Sequence, residues 1–289
     1  MRLAVLAART GWHTQQLEQA AAARGHQEVV LPYEGVVATI GSGAGLHSNR
    51  IDLDAMDLVL ARIIPSGSLE QIVFRVDALH RLEDRGVKVI NSPRTIERTV
   101  DKFWTSALLE QCGVPTPETV VCERAEEAIQ AFRRLQDVIV KPLFGSMGLG
   151  MVRVQDEEMA FRVFRTLEQI RAVYYLQRTV EHEGVDVRAF VIGGKLFAAI
   201  ERRASGWRTN LARGAAAQAV KLSEDAKALA LRAAAAVGAA YAGVDLVTDR
   251  EGRTHVLEVN GIPGWKGLQQ ATGLDVAGAL IDNLLARNE

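Results

Sequence analysis

Apolar and polar positions alternate in blocks that change character twice along the chain. Leu3 to Ala7 is an unbroken apolar run and reads as a buried strand. Thr14 to Arg24 follows as a helix closed by Gly25, and Glu28 to Leu31 as a second strand. A glycine-rich stretch from Glu34 to Asn49 has no clear period. Leu58 to Ala61 reads as a strand, Leu69 to Arg85 as a helix stopped by Gly86, and Val87 to Ile90 as a strand ended by Asn91-Ser92-Pro93. Strands separated by helices predict a parallel sheet with crossover helices, with a boundary at Pro93.

The middle block holds one or two helices over Thr95 to Gln111 and a turn at Gly113-Val114-Pro115-Thr116-Pro117. A helix over Glu126 to Leu135 precedes the strand Val138-Ile139-Val140-Lys141-Pro142. That strand runs into a glycine loop, Gly145 to Gly150, and returns through Met151 to Val154. A helix from Asp156 to Gln169 starts with Asp156 as its N-cap. The last block has longer strands, Val173 to Val180, Val185 to Ile192 and Lys195 to Arg203, with Gly193-Gly194 as a two-residue hairpin turn. A helix over Glu224 to Val237 leads to Gly243 to Thr248 and His255 to Asn260, joined by Asp249-Arg250-Glu251-Gly252. Val276 to Ala286 is a final helix. The fold class is thus parallel α/β followed by antiparallel α+β, in more than one subdomain.

Composition narrows the function. A chain of 289 residues can bury a sizeable core, and 48% hydrophobic with 24% charged residues is ordinary for a globular enzyme. Lys plus Arg is 34 against 35 for Asp plus Glu, so no global positive field exists to hold a nucleic-acid backbone. Cys112 and Cys122 form no CxxC pair, and the six histidines have no metal-ligand spacing. The apolar start is broken by Arg9, and the Ala226 to Ala240 run carries Lys227 and Arg232. Neither a signal peptide nor a membrane span is expected, and the cytoplasm is the expected location.

Three clusters carry candidate chemistry. Lys141 ends an apolar strand and meets Gly145-Ser146-Met147-Gly148-Leu149-Gly150. Glycines let backbone N–H groups approach a phosphate, and the lysine adds a fixed charge. The loop joins two strands, so it is neither a Walker loop nor a dinucleotide fingerprint, both of which open a helix. Alone, it reads equally well as a flexible turn. Glu258 and Asn260 are two apart on a strand and share a face, with Asp245 on the preceding strand. Two carboxylates and an amide oxygen suit a hard cation such as Mg²⁺. The third cluster is Arg202-Arg203, Arg208-Thr209-Asn210 and Arg213-Gly214, with Asp186 and Arg188 sharing a strand face. Arginine binds phosphate and carboxylate in bidentate fashion, although such a run also reads as a solvated face.

The ordered set Lys102, Lys141-Pro142, glycine loop, Gln177, Asp186-Val187-Arg188, Arg202-Arg203, Arg208-Thr209-Asn210, Asp245 and Glu258-Val259-Asn260 resembles the ATP-grasp fold. Within it, the chain is most similar to the RimK-type α-L-glutamate ligases, over essentially its whole length. The resemblance implies an N-terminal pre-ATP-grasp domain over residues 1–93, a central lid subdomain over 94–178 and a C-terminal subdomain with a Mg²⁺ site over 179–289. It implies that Lys102 and Lys141 hold ATP phosphates beneath a lid containing Gly145, Ser146 and Gly148. Gln177, Arg178, Thr179 and Val180 would form the adenine hinge, and Asp186 would contact the nucleotide. Arg208, Thr209 and Asn210 would lie near the phosphates, and Arg203 and Arg213 would orient the acyl-phosphate or substrate. Asp245, Glu258 and Asn260 would ligate Mg²⁺ or Mn²⁺. The implied reaction is ATP-dependent joining of a carboxylate to an amine, that of L-glutamate, through an acyl-phosphate, in a homo-oligomer (dimer or tetramer).

Two departures bear on the acceptor. The family's hinge often carries Glu after Gln, where this chain has Arg178. Thr10-Gly11-Trp12-His13 and Gly261-Ile262-Pro263-Gly264-Trp265-Lys266-Gly267 are bulky, and are expected to line the acceptor pocket, with His13 a lone exposed histidine. These loops favour a small aromatic coenzyme, of the tetrahydromethanopterin type, over a protein C-terminus or a carrier protein. Other readings are a ligase for other amino acids, of the dipeptide or D-alanine kind, and a non-catalytic ATP-binding regulatory module.

Overall fold

The structure, a computed structural model, describes residues 1–145, 148–204, 206 and 216–286. The first block forms a parallel sheet from β1 (Arg2–Ala7), β2 (Gln27–Pro32), β6 (Leu58–Ala61) and β7 (Lys88–Ile90), in the order β2-β1-β6-β7. Helices α1 (Trp12–Ala22) and α2 (Leu69–Asp84) make the crossovers. Ser68 caps α2 by accepting from Gln71 N, and the Gln71 side chain returns the bond. The stretch without a period is not a loop. It folds into a small antiparallel sheet of β3 (Val36–Thr39), β4 (Gly45–Ser48) and β5 (Ile51–Asp52). Its strands are too short for a period of two to register.

Helices α3 (Pro93–Val100) and α4 (Lys102–Gln111) lead into the middle sheet. That sheet is β10-β9-β11-β8, from β8 (Thr119–Cys122), β9 (Val138–Lys141), β10 (Val152–Val154) and β11 (Tyr174–Arg178). β8 follows the proline-rich turn directly and escapes the sequence reading. Helices α5 (Ala125–Leu135) and α6 (Glu157–Gln169) cover one face of this sheet, and Asp156 caps α6 through Met159 N as expected. The C-terminal sheet, β14-β13-β12-β15-β16, is wholly antiparallel. Its strands are β12 (Val185–Ile192), β13 (Lys195–Arg203), β14 (Ala216–Ala219), β15 (Tyr241–Thr248) and β16 (Thr254–Asn260). Gly193 and Gly194 both take positive φ, 58° and 76°, as a two-residue turn between β12 and β13 requires.

Helix α7 (Glu224–Val237) packs on one face of that sheet, and α9 (Val276–Ala286) lies on the other side. A short helix, α8 (Lys266–Thr272), occupies a segment that reads as a turn, because Gly267 sits in its first turn and depresses its propensity. The N-terminal and C-terminal blocks share a core. Leu3, Val5 and Leu60 join Phe190, Tyr241, Trp265 and Leu280 in one apolar cluster. Asn91, fully buried, fastens the two blocks with its side chain. It donates to the carbonyls of Tyr241 (2.8 Å) and Gly261 (2.5 Å) and accepts from Ala240 N (2.7 Å). Among the described residues, no helix is long and apolar enough to cross a membrane.

Candidate active site

Alternation along β9 puts Ile139 and Lys141 on one face, and both line one cleft. Lys141 is only 8% exposed, and its ammonium donates to Oε1 of Gln177 on the neighbouring β11 at 2.6 Å. Burial lowers the Lys141 pKa to about 8, with Glu258 and Asp245 opposing that fall and Lys102 adding to it. Lys102 opens α4 after its cap Asp101, and its ammonium donates to the Gly145 carbonyl at 2.9 Å. Burial lowers its pKa too, against the attraction of Glu258. Two ammonium groups thus converge on one carboxylate. Between them runs the glycine loop, whose Gly145, Gly148 and Gly150 all have positive φ. Gly148 lines the cleft.

The opposite wall comes from β15 and β16, where Asp245 pairs with Glu258 and Gly243 with Asn260. The register shifts immediately after Asp245, leaving Leu257 as an extra residue in β16. This bulge explains why Leu257 and Glu258, although consecutive, both line the cleft. Asp245 is 6% exposed and accepts two bonds from Arg188, each 2.7 Å, while Arg202 stands 3.0 Å away. Burial pushes the Asp245 carboxyl up, but Arg188 and Arg202 outweigh it and hold the pKa at about 2. Arg202 also pairs with Asp186, through Nε at 2.7 Å and again through Nη2. Burial opposes the Arg202 charge, yet Asp245 and Asp186 raise its pKa above the ordinary value.

The structure brings most of the described sequence candidates to this cleft. Lys102, Lys141, Gly148, Gln177, Arg178, Val180, Asp186, Asp245 and Glu258 line it. Gly145 takes part through its carbonyl to Lys102. Thr179 turns aside, its hydroxyl donating to Asp137 Oδ1 at 2.7 Å. Asn260 lies beside the pair in register, but its Oδ1 accepts from Ile262 N at 2.9 Å. Arg203 sits on the exposed side of β13, paired with Glu201 at 2.6 Å; alternation gives the buried position to Arg202 instead. Ser146, Arg208, Thr209, Asn210 and Arg213 lie outside the described residues. Ile139, Met151, His182, Val247 and Leu257 were not anticipated as lining. Two of them were within reach of the two-residue rule, since Ile139 precedes Lys141 and Val247 follows Asp245 by two.

Oxygen donors alone distinguish the metal candidates. Among the described residues no three of His, Cys, Asp and Glu cluster as a metal site. Two carboxylates and one amide oxygen on adjacent strands fit Mg²⁺, which takes few protein ligands and fills its shell with water and phosphate oxygens. The bulky loops behave otherwise than expected. Trp265 is fully buried in the shared core and walls no pocket. His13 is half-buried, and its Nε2 accepts from Trp265 N at 3.1 Å. Burial, then Arg62 and Lys266, lower the His13 pKa to about 4, so its ring is neutral near pH 7.

Two family profiles cover this architecture. The RimK PreATP-grasp domain matches residues 1–96 and the RimK-like ATP-grasp domain matches residues 99–284. The chain belongs to the RimK-like ATP-grasp family. Like the other members, it is an ATP-dependent ligase. The chain is 33% identical to the tetrahydromethanopterin:alpha-L-glutamate ligase of Methanosarcina acetivorans, over 94% of this chain and 95% of that one. It is 35% identical to the ligase of the same name in Methanocaldococcus jannaschii, over 89% of each. A probable alpha-L-glutamate ligase of Halorhodospira halophila is 32% identical, over 98% of this chain and 94% of the relative. The ATP-grasp RimK domain protein of Sphaerobacter thermophilus superposes with a TM-score of 0.78 at 23% identity, covering 98% of each chain. The ATP-grasp ligase PsnB, solved with a minimal precursor, Mg and ADP, superposes at 0.77 and 21%, over 99% and 97%. These last two likenesses concern the fold.

Proposed function

We propose that this RimK-like ligase adds L-glutamate to a carboxylate of a small coenzyme of the tetrahydromethanopterin type, using ATP and Mg²⁺. One observation carries the catalytic reading. Lys102 and Lys141 face Glu258 and Asp245 across a single cleft at the meeting of the middle and C-terminal sheets. Opposed ammonium and carboxylate groups in one cleft suit a polyphosphate and its cation. The glutamate and coenzyme assignment draws on the names of relatives at 31–35% identity over most of the chain. Residues 1–93, 94–178 and 179–289 serve as the pre-ATP-grasp domain, the lid and the metal-bearing subdomain.

In this reading Lys102 and Lys141 hold the ATP phosphates beneath the N–H groups of Gly148 and its neighbours, and Ser146 is assigned to the same phosphates by resemblance. Gln177 to Val180 contact the adenine, with Ile139, Met151, Val247 and Leu257 as apolar lining. Glu258, Asp245 and Asn260 hold Mg²⁺, which when bound neutralises charge on the phosphates. Arg188 and Arg202 fix the orientation of the Asp245 carboxylate, which would offer an oxygen to the metal. A substrate carboxylate oxygen attacks the γ-phosphorus, and ADP departs. The amine of glutamate then attacks the acyl carbon, and phosphate leaves as the amine sheds its proton. Arg208, Thr209, Asn210 and Arg213 are assigned to the phosphates and the acyl-phosphate by resemblance, and Arg202 takes the cleft position that the resemblance gave to Arg203. No side-chain nucleophile is required. Positioning and charge neutralisation supply the acceleration.

The test is ADP release on mixing enzyme, ATP, Mg²⁺ and L-glutamate with tetrahydromethanopterin, and separately with a protein C-terminal peptide. Amine-dependent ADP release and a mass gain of one glutamate on the coenzyme are expected. Turnover with the peptide alone, or ATP binding without amine-dependent ADP release, would sink the proposal.

A further inference from the structure

Alternation along β11 divides its side chains between two faces. Tyr174 and Leu176 enter the apolar core beneath α5 and α6. Tyr175 and Gln177 therefore face the other way, toward the side where Lys141 stands on β9, and are 1% and 2% exposed. Buried polar groups need partners, and the partners here form one chain. Lysine has donors only, so the 2.6 Å contact fixes Oε1 of Gln177 as the acceptor from Lys141. The Gln177 amide nitrogen is thereby turned inward. It donates to Tyr175 Oη and to Thr119 Oγ1, each at 3.3 Å. Thr119 donates in turn to the Pro117 carbonyl at 2.8 Å. Tyr175 Oη stands 2.8 Å from Ser106 Oγ. Burial raises the Tyr175 pKa, so its hydroxyl keeps its proton and can donate to Ser106.

The far end of this chain is anchored elsewhere. Ser106 lies on α4, one helical turn beyond Lys102. Leu109 of the same helix is 1% exposed in the C-terminal core, beside Val244 of β15 and Val259 of β16. Helix α4 is thus fixed to the sheet that carries Asp245 and Glu258, whereas Lys141 belongs to the middle sheet. The run Ser106–Tyr175–Gln177–Lys141 joins the two beneath the cleft. An ammonium on a flexible four-carbon stem gains a defined position only from fixed acceptors. Gln177 Oε1 supplies one, and the Tyr175 ring, its centroid 6.0 Å from Lys141 Nζ, adds a second restraint. Neither Tyr175 nor Ser106 lines the cleft, so both act through Gln177, which does.

We propose that Tyr175 and Ser106 are positioning residues for the nucleotide phosphates: through Gln177 they aim the Lys141 ammonium at the place where Lys102 and Glu258 also converge. The inference rests on the ATP reading of the cleft and adds what orients its buried lysine. Affinity for ATP with Mg²⁺ is measured by titration calorimetry, with no amine or carboxylate substrate present, and affinity for adenosine in parallel. Tyr175→Phe removes one oxygen and keeps the ring. Ser106→Ala removes one oxygen from a half-buried helical position where alanine is favoured. Each variant should bind ATP about tenfold more weakly, the worth of one buried hydrogen bond. The two together should lose less than the product of the single losses, because they break the same chain. Adenosine, which lacks phosphates, should bind within about twofold of the parent in every case. In Lys141→Met, adding Tyr175→Phe should weaken ATP no further. Unchanged ATP affinity in both single variants overturns the proposal. So does an equal loss for ATP and adenosine, or a further loss of about tenfold in the Lys141→Met background. A parent protein that binds no ATP removes the nucleotide reading and this inference together, whereas a parent that binds it no better than the variants removes the inference alone.

Discussion

Replacing Lys141 with Met should stabilise the free enzyme while damaging its grip on ATP. Lys141 is 8% exposed, and burial has lowered its pKa from 10.5 to about 8. At about 1.4 kcal/mol per unit, that fall represents roughly 3 kcal/mol of cost for carrying the charge near pH 7. Met has a similar length and no charge, so the cost disappears. Against this, Oε1 of Gln177 loses its donor at 2.6 Å, a penalty of about 1–2 kcal/mol for a buried acceptor. The net gain is about 1–2 kcal/mol, a rise in Tm of roughly 2–5 °C for a chain of this size. The sign with pH follows from linkage. Below pH 8 the cost is present in full. Between 8 and 10.5 the unfolded chain binds this proton more tightly than the folded one, so stability rises with pH, and above 10.5 the cost is gone. The gap between variant and parent should therefore close across that window. In the variant, the loss of a charge-assisted contact of about 1.5–3 kcal/mol removes most of the upward Tm shift that ATP with Mg²⁺ confers. Calorimetric melts with and without ATP at pH 7 and 9.5 decide it. A free variant melting below its parent, or an undiminished ATP shift, refutes the argument.

Three further outcomes follow from the same geometry. Glu258→Gln keeps the shape of the cleft but removes the half-buried carboxylate facing both lysines, so turnover should fall at least a hundredfold with an unchanged melt; ADP release titrated with Mg²⁺ and Mn²⁺ reads it. Asp245→Asn strips the counter-charge from Arg188 and Arg202, both held by it at 2.7–3.0 Å, and should cost about 3–5 kcal/mol in urea unfolding at pH 7. Because the folded pKa of Asp245 is depressed, its contribution is present above about pH 3.8 and lost as pH falls toward 2, so parent and variant should converge in acid. Asn91→Ala orphans the carbonyls of Tyr241 and Gly261 and the amide of Ala240. A loss of about 2–4 kcal/mol by denaturant titration is expected from several buried groups left unpaired.

Long elements were legible because burial on one or both faces forces a strong pattern. The strands Val185–Ile192 and Lys195–Arg203 and the helix Glu224–Val237 match the sequence reading residue for residue. Short elements were not. β8 has four residues directly behind Pro115 and Pro117, and β3, β4 and β5 are strands of two to four residues amid glycines. In such segments pairing partners decide the conformation, and the partners are distant in sequence. Lys141 with its glycine loop, and Glu258 with Asp245, were legible because strand alternation aims them.

Asp245 shows why motif order alone leaves the chemistry incomplete. As a sequence feature it is one of two acids set beside an amide. In the fold it is the junction of a chain running Arg188–Asp245–Arg202–Asp186 across β12, β13 and β15, with both oxygens already accepting. Two guanidinium groups on one carboxylate leave net positive charge behind it, which weakens its pull on a cation. Glu258, half-buried and set against two ammonium groups, is likewise outnumbered. The described walls of the cleft thus carry more positive than negative charge, Lys102, Lys141, Arg178 and Arg202 against Asp186, Asp245 and Glu258, and Arg188 stands behind Asp245. Such a site attracts a polyanion before a cation, because an isolated Mg²⁺ would meet net repulsion. The proposed metal site then predicts an order of binding: the nucleotide enters first or together with its metal, and its phosphates supply the negative charge that completes the metal's shell. Equilibrium dialysis should find Mg²⁺ retained in the presence of ADP and not in its absence. Tight Mg²⁺ binding by the nucleotide-free protein would show that the arginines do not govern this site.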